Sequence, residues 1–321
     1  MNKAFTCLMA IFSLCLVMTC GRSDKPLATK ADVECPVPPG DEDSNSFPSE
    51  ERSATVVAAK RALIIGLGEQ EDSQWAKING DKDVPFVQKM LKSVGYADIR
   101  TLVNRQATKA AMVSAFKKMS DDCFPGDTVY VHFSGHGQQV TDVNGDEEDG
   151  WDEAWIPYDA CLTYGEKDKG EKHLIDDEIN RLLTNIRDKI GDEGKLLVVV
   201  DACHSGGSSR GGRQDDLEEG VVVRGAGDDF VIPCATKTKT THTPAPERWI
   251  TLSACKDFQL NQEISKPQVG KLTYALYMTA LRGKVTFQKI EDFMIQYSGR
   301  LPQTPVLTGD TINYKISDFL K

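Results

Sequence analysis

Two residues in this chain are equipped for acyl-transfer chemistry, and both sit just past a predicted strand end. Cys203 closes KLLVVVDAC (195–203), the most strongly apolar strand run in the chain, and is followed by His204 and the small residues SGG. His136 follows GDTVYVHFSG (126–135). A thiol that attacks an amide needs a base to make it thiolate, and a neutral imidazole in reach supplies one. The two lie 67 residues apart, but the ends of adjacent parallel strands bring such groups together on one edge of a sheet. The flanking glycines leave room for a substrate backbone, and the amides of Gly137 and Cys203 are candidates to hold an oxyanion. Alone, each signal is weak, because a cysteine ending a strand is more often a small buried apolar side chain. His204 is read as a bystander that orients the loop or is solvated.

The elements that must position these groups follow from periodicity. Strand-like KRALIIGLG (60–68), IRTLV, GDTVYVHFSG, KLLVVVDAC and WITLSAC (249–255) alternate with helix-spaced VPFVQKMLKSVGY, TKAAMVSAFKKM and IDDEINRLLTNIRDKI, and the last strand precedes helix-like LTYALYMTAL and TFQKIEDFMIQYS. The alternation predicts an α/β fold, a mostly parallel central sheet with helices on both faces. Residues 206–247, rich in Gly, Thr, Asp, Arg and Lys, are long for a connector, which marks a functional or disordered loop.

The 321 residues suit one large domain or two small ones. A formal net charge of −10 argues against a general nucleic-acid binder, which needs a basic face. MNK followed by AFTCLMAIFSLCLVMTC has the plan of a secretory signal over residues 1–19. LVMTCG resembles a bacterial lipobox, in which Cys20 would be lipidated; a plain cleaved signal and a retained anchor are the alternatives. Residues 20–57 are dominated by Pro, Ser, Asp and Glu and read as a flexible tether, leaving the folded domain over 58–321. The expected location is the cell envelope of a bacterium, lipid-anchored or secreted. Of nine cysteines, six remain beyond Cys20. They show no C-x-x-C, so neither a zinc site nor a redox pair is signalled, although an exported protein could form disulfides.

FSGHG, NGDEEDGWDEAWIPYD, IDDEI, DACHSG and LSACKDFQ occur in this order, and with them the chain resembles metacaspases and their bacterial relatives, the orthocaspases. These are caspase-like cysteine peptidases. The resemblance runs from about Lys60 to LPQTPVLTG near the C-terminus. It implies a caspase-like sandwich with His136 as general base and acid and Cys203 as the nucleophile of a thioester acyl-enzyme. It implies cleavage after Arg or Lys, with Asp83, Ser134 and Asp201 matching the substrate-pocket positions. For Asp83 the alternative is a helix N-cap. Asp201 is costly to bury beside the thiol unless a cation is expected. Caspases proper use pocket arginines to take aspartate, and no residue here is read in that role.

The resemblance also implies Ca2+ held by Asp152, Asp176 and Asp177. The family's fourth aspartate, seven after the nucleophile, is Arg210 here, with Asp215 or Asp216 as possible substitutes. Asp176 and Asp177 could equally serve as acids at a helix N-terminus. DVNGDEEDG (142–150) lacks the glycine and glutamate offsets of an EF-hand and is read as a solvated acidic turn. An enzyme that cuts after basic residues and carries Arg210, Arg213, Arg224, Lys237 and Lys239 in a flexible loop is expected to cleave itself there, as a zymogen does. Trimming at Arg52 or Lys60 is the other possibility. The expected partners are protein or peptide substrates and, through the lipid anchor, a membrane; the resemblance implies a monomer. Two rivals remain: a catalytically silent caspase-like binding module, against which the intact Cys203 and His136 argue, and a transpeptidase using the same acyl-enzyme.

Overall fold

β1 (Lys60–Gly66) is apolar on both faces because it lies inside a sheet covered on both sides. In the computed structural model, which describes residues 57–203, 222–233, 247–297 and 301–321, it is followed by α1 (Gly80–Ser93), β2 (Asp98–Val103), α2 (Lys109–Asp122) and β3 (Thr128–Ser134). Three short strands come next: β4 (Gly137–Thr141), β5 (Trp151–Trp155) and β6 (Leu174–Ile175). The chain continues through α3 (Asp176–Ile190), β7 (Lys195–Asp201), β8 (Ile250–Ser253), β9 (Glu263–Ile264) and β10 (Val269–Gly270), and ends with α4 (Lys271–Leu281), α5 (Phe287–Gln296) and β11 (Val306–Gly309). The signal, Cys20, the tether to residue 56, His204, Arg210, Arg213, Lys237 and Lys239 lie outside the described residues.

The main sheet has the order β11-β8-β7-β3-β1-β2. All its neighbours are parallel except β11, which runs antiparallel to β8. Strand alternation sorts side chains to two cores. Ala62, Ile64, Tyr130, Leu197 and Val199 face α1, α4 and α5. Leu63, Ile65, Val131, Phe133, Val198 and Val200 face α2 and α3. A one-residue slip would exchange these faces, so the register is firmly specified. It also decides where the polar residues go: His132, Ser134 and Asp201 continue the α1/α4 face and end at the C-terminal edge of the sheet.

The small sheet β4-β5-β6 is antiparallel and starts immediately after His136. It lies in a stretch whose acids hid its strands from periodicity. α1 begins at Gly80, three residues before Asp83; its N-cap is Asn79 and Asp83 is fully buried in the first turn. The N-cap alternative for Asp83 is therefore wrong. Among the described residues no helix is long and apolar enough to cross a membrane.

Candidate active site

His136 and Cys203 leave the neighbouring strands β3 and β7, paired through Ser134↔Asp201. The His136 ring is fully buried against Trp75, with centroids 4.9 Å apart. Its Nε2 lies 2.8 Å from the Ala76 carbonyl and must donate to it. That leaves Nδ1 as the basic nitrogen, buried and, among the described residues, making no hydrogen bond of its own, while the ring lies beside the Gly225 backbone. Burial lowers the imidazole pKa to about 4, so it is neutral. The Cys203 thiol is held below its ordinary value by the Cys255 thiol, against burial, with help from the Asn261 N–H 3.1 Å from its Sγ.

The pocket beside His136 and Cys203 is built of carboxylates, and an arginine of the same chain fills it. Asp83, Asp201 and Arg224 are fully buried, and Glu263 is nearly so. Arg224 Nη1 lies 2.6 Å from Asp83 Oδ2 and 3.4 Å from Asp201 Oδ1, and Nε donates to Glu263 Oε1 at 2.9 Å. Asp201 is also held by the first turn of α4: the Thr273 N–H and hydroxyl donate to its Oδ2 at 2.8 and 2.7 Å, and Asn261 Nδ2 to its Oδ1 at 2.8 Å. Burial pushes Asp201 up, but Arg224 and these donors outweigh it and leave the carboxyl below its ordinary value. For Asp83 burial wins over Arg224, and the carboxyl stays raised. The opposite directions follow from the donor count. The single Thr273 hydroxyl proton goes to the nearer Asp201 rather than to Asp83 Oδ2 at 3.1 Å.

Ser134 is fully buried beneath the pocket, with its hydroxyl 2.9 Å from His132 Nε2. His132 in turn lies 3.2 Å from Thr273 Oγ1, so among the described residues Ser134 reaches the carboxylates only through this chain. Gly270 is required here, because a Cβ would collide with Asp201 Oδ2 and Arg224 Nη1. Gly137 is likewise required, because a Cβ would enter the Cys203 carbonyl.

The backbone of Arg224 is as telling as its side chain. Its carbonyl accepts from the Cys203 N–H at 2.8 Å, and its own N–H donates to Asn261 O at 2.9 Å. Val222 and Val223 continue antiparallel to Gln262 and Glu263, through Glu263 N to Val222 O at 2.9 Å and the Val223↔Gln262 bridge. Past Arg224 the chain runs parallel to β4: Ala226 N donates to Gly137 O at 3.2 Å and Phe230 N to Gln139 O at 2.8 Å. Arg224 is therefore no member of an open flexible loop, as its composition had suggested, and the pocket does contain an arginine. A guanidinium built to receive aspartate would not already be bracketed by carboxylates. This one commits Nη1 and Nε to three of them, and its backbone lies extended past the thiol as a bound peptide would.

A cluster of acids lines the same cleft as Cys203. The carboxylates of Asp142, Asp146 and Asp152 approach within 4.8 Å of one another. Asp142 and Asp152 are buried, so the base of the 142–150 turn is not solvated as its sequence suggested. Asp142 Oδ1 and Oδ2 accept the Gly145 and Glu147 amides. Burial, then the neighbouring acids with Asp176 foremost, raises Asp152 to about 8. Glu153 and Asp176 are each raised to about 7, again chiefly by burial. Asp177 accepts from Asn144 Nδ2 at 2.7 Å. A cleft of about 490 Å³ joins Asp146, Asp176 and Asp177 to Cys203 and Trp249.

Residues 60–209 match the model of the metacaspase peptidase C14 domain. The matched segment, just under half of the chain, is similar to a metacaspase peptidase domain. Metacaspase-1A of Aspergillus terreus is 35% identical over 157 residues, 46% of this chain and 36% of that protein. Metacaspase-1A of Aspergillus fumigatus is 36% identical over 158 residues, 46% of this chain and 35% of that protein. The chain thus spans about a third of the length of these relatives. In fold, the chain is similar to a protein of Geobacter sulfurreducens (TM-score 0.57, 24% identity, 81% of this chain and 98% of that one). It is also similar to caspase-1 of Spodoptera frugiperda (TM-score 0.51, 12% identity, 78% and 86% covered). The expected caspase-like α/β sandwich is thereby found.

Sequence reasoning missed Glu263, Asn261, Thr273 and Trp75. Thr273 hides in an apolar helix. Glu263 and Asn261 lie in FQLNQEIS, which reads as a polar loop.

Proposed function

We propose that this chain is a metacaspase-type cysteine endopeptidase that cuts after basic residues, with Cys203 as nucleophile and His136 as base and acid. The observation that carries the reading is the pose of Arg224, with its guanidinium among Asp83, Asp201 and Glu263 and its carbonyl on the Cys203 amide. In the reaction, the thiolate adds to the carbonyl carbon of the basic residue while the Cys203 N–H holds the developing oxyanion. The C–N bond breaks as imidazolium protonates the leaving nitrogen. Water, deprotonated by the same imidazole, hydrolyses the thioester. Among the sites expected for self-processing, the pose favours Arg224–Gly225. In the intact chain Cys203 Sγ is engaged by the Asn261 N–H and must leave it to attack. The test is hydrolysis of fluorogenic Arg- and Lys-peptides, with and without calcium, against Cys203→Ala. We expect the variant to lose at least about 10³-fold, as removal of a covalent nucleophile does. Equal rates for the two proteins would rule the reading out.

Calcium belongs to the same proposal. Among the described residues no hydrogen-bond donor reaches the Asp152 carboxylate, which is only 4% exposed and faces other acids, an arrangement that suits a hard dication. Asp142, Asp146 and Asp152 would hold it, with Asp176 and Asp177 adding charge; bound, it would neutralise the rim of the cleft leading to Cys203. The pH dependence has a definite sign. Asp152, Glu153 and Asp176 titrate higher in the fold than unfolded, so their contribution to stability is present at acid pH and lost as pH rises through about 7 to 8. Calcium should therefore raise Tm more at pH 8 than at pH 5.5, where protons compete for the same oxygens. The buried His132, His136 and His173, all lowered to about 4, act oppositely between 6.5 and 4 and are indifferent to calcium. Asp152→Asn should abolish the calcium-dependent shift. A shift that is unchanged in this variant, or independent of pH, counts against the site.

A further inference from the structure

The pocket treats the nitrogens of its arginine unequally. Nη1 is shared by Asp83 and Asp201; among the described residues Nη2 has no partner and Nε is bound by Glu263 alone, at 2.9 Å. Glu263 is held in that position from behind. The Asn79 N–H donates to its Oε1 at 2.7 Å, Asn79 Nδ2 bonds its Oε2, and the hairpin of β9 and β10 fixes its backbone. A peptide that binds as residues 222–224 do would receive from Glu263 both a backbone bond, N–H to the carbonyl two residues before the arginine, and a side-chain bond to Nε.

We propose that Glu263 makes this site selective for arginine over lysine. The inference rests on the peptidase reading and narrows its substrate class. Counted in bonds from Cα, lysine puts its Cε methylene where arginine has Nε and its ammonium where arginine has Cζ. Glu263 Oε1 would then face a carbon instead of a donor, and the ammonium would stop one bond short of the position between Asp83 and Asp201. A buried carboxylate that loses one of its donors, even with Asn79 still bonded to it, forfeits part of the compensation for its desolvation, which is why sites built on a hydrogen bond reject analogues lacking it. The aspartates supply charge that either cation can use. Glu263 supplies the one bond that only a guanidinium can complete.

The experiment compares kcat/KM on three peptides that differ only before the cut: arginine, lysine, and arginine methylated on Nε, which keeps its charge and both terminal nitrogens. The full chain should cut the arginine peptide about 10- to 100-fold faster than either of the others. In Glu263→Gln the arginine rate should fall by a similar factor and the lysine rate should hardly move, so the ratio collapses toward one. If Glu263→Gln does not fold, the methylated peptide on the unmodified chain decides by itself. Equal cleavage of arginine and Nε-methylarginine peptides, or an Arg/Lys ratio unchanged in the variant, overturns the inference and leaves the peptidase reading standing. No hydrolysis of the arginine peptide beyond the Cys203→Ala level overturns the peptidase reading instead.

Discussion

Replacing Arg224 with alanine, in a Cys203→Ala background that cannot process itself, is expected to lower the unfolding free energy by about 3–5 kcal/mol. An exposed ion pair would contribute less than about 1 kcal/mol, but this one differs in every respect that matters. Asp83 and Asp201 are fully buried, Glu263 is 7% exposed, and Arg224 is the cation they share. Removing it leaves three carboxylates in a desolvated pocket, where each must keep an uncompensated charge or take up a proton. The loss should therefore be largest above pH 7 and shrink toward pH 5. It should also be reversible from outside. N-acetyl-arginine amide, added at millimolar concentration, should restore part of the lost Tm in Arg224→Ala through mass action. The same ligand should leave the parent, whose pocket is full, unchanged. Urea and thermal melts read both effects. A variant that melts with the parent, or one that arginine amide does not rescue, would show that the guanidinium is not what neutralises this pocket.

The placement of Cys203, His136, Asp83 and Asp201 near one edge of the sheet was legible because each ends or flanks a run whose period is clear. Val200 and Phe133 fix the strands, and Asp201 and His136 follow from them. Arg224 was visible only as one base among several in a loop rich in Gly, Asp and Arg. Its local signal, three valines directly before an Arg-Gly step, is a short β-branched run able to pair as a strand, but its partner at residues 261–263 cannot be read from local pattern. Glu263 was hidden for the same reason, since its importance comes from two long-range contacts, with Asn79 and Arg224. The acidic turn shows the reverse failure. DVNGDEEDG looks solvated because charge usually is, but the β4–β5 register pairs Val140 with Asp152, which draws Asp152 and the neighbouring Asp142 into the base of a hairpin. Composition described the exposed tip and not the base.

Incubation of the intact chain with calcium is expected to break the Arg224–Gly225 bond and give a new N-terminus at Gly225, without separating the two pieces. The bond is presented as a substrate would be, with the Arg224 carbonyl on the Cys203 amide and the Gly225 backbone beside His136. The chain downstream of the cut is anchored independently of it. Phe230 is fully buried, packed on His173 with centroids 4.2 Å apart, and Ala226 and Phe230 are hydrogen-bonded to β4. Farther on, β8 lies inside the main sheet between β7 and β11, and α4 covers it, so residues 225–321 cannot leave without exposing the core. Upstream, Val222–Arg224 keeps its backbone bonds to Asn261 and Glu263 and its ion pairs but loses its tether to β4, so its occupancy of the pocket becomes that of a bound product. Peptidase activity should rise with the cut for that reason. Denaturing gels should show two fragments, size exclusion under native conditions one species, and N-terminal mass spectrometry a chain starting at Gly225. Cys203→Ala should stay intact, and Arg224→Gln should remain uncut at this bond. Scission in Cys203→Ala, a first cut elsewhere, or fragments that part under native conditions would each contradict the seated Arg224 as the chain's own first substrate.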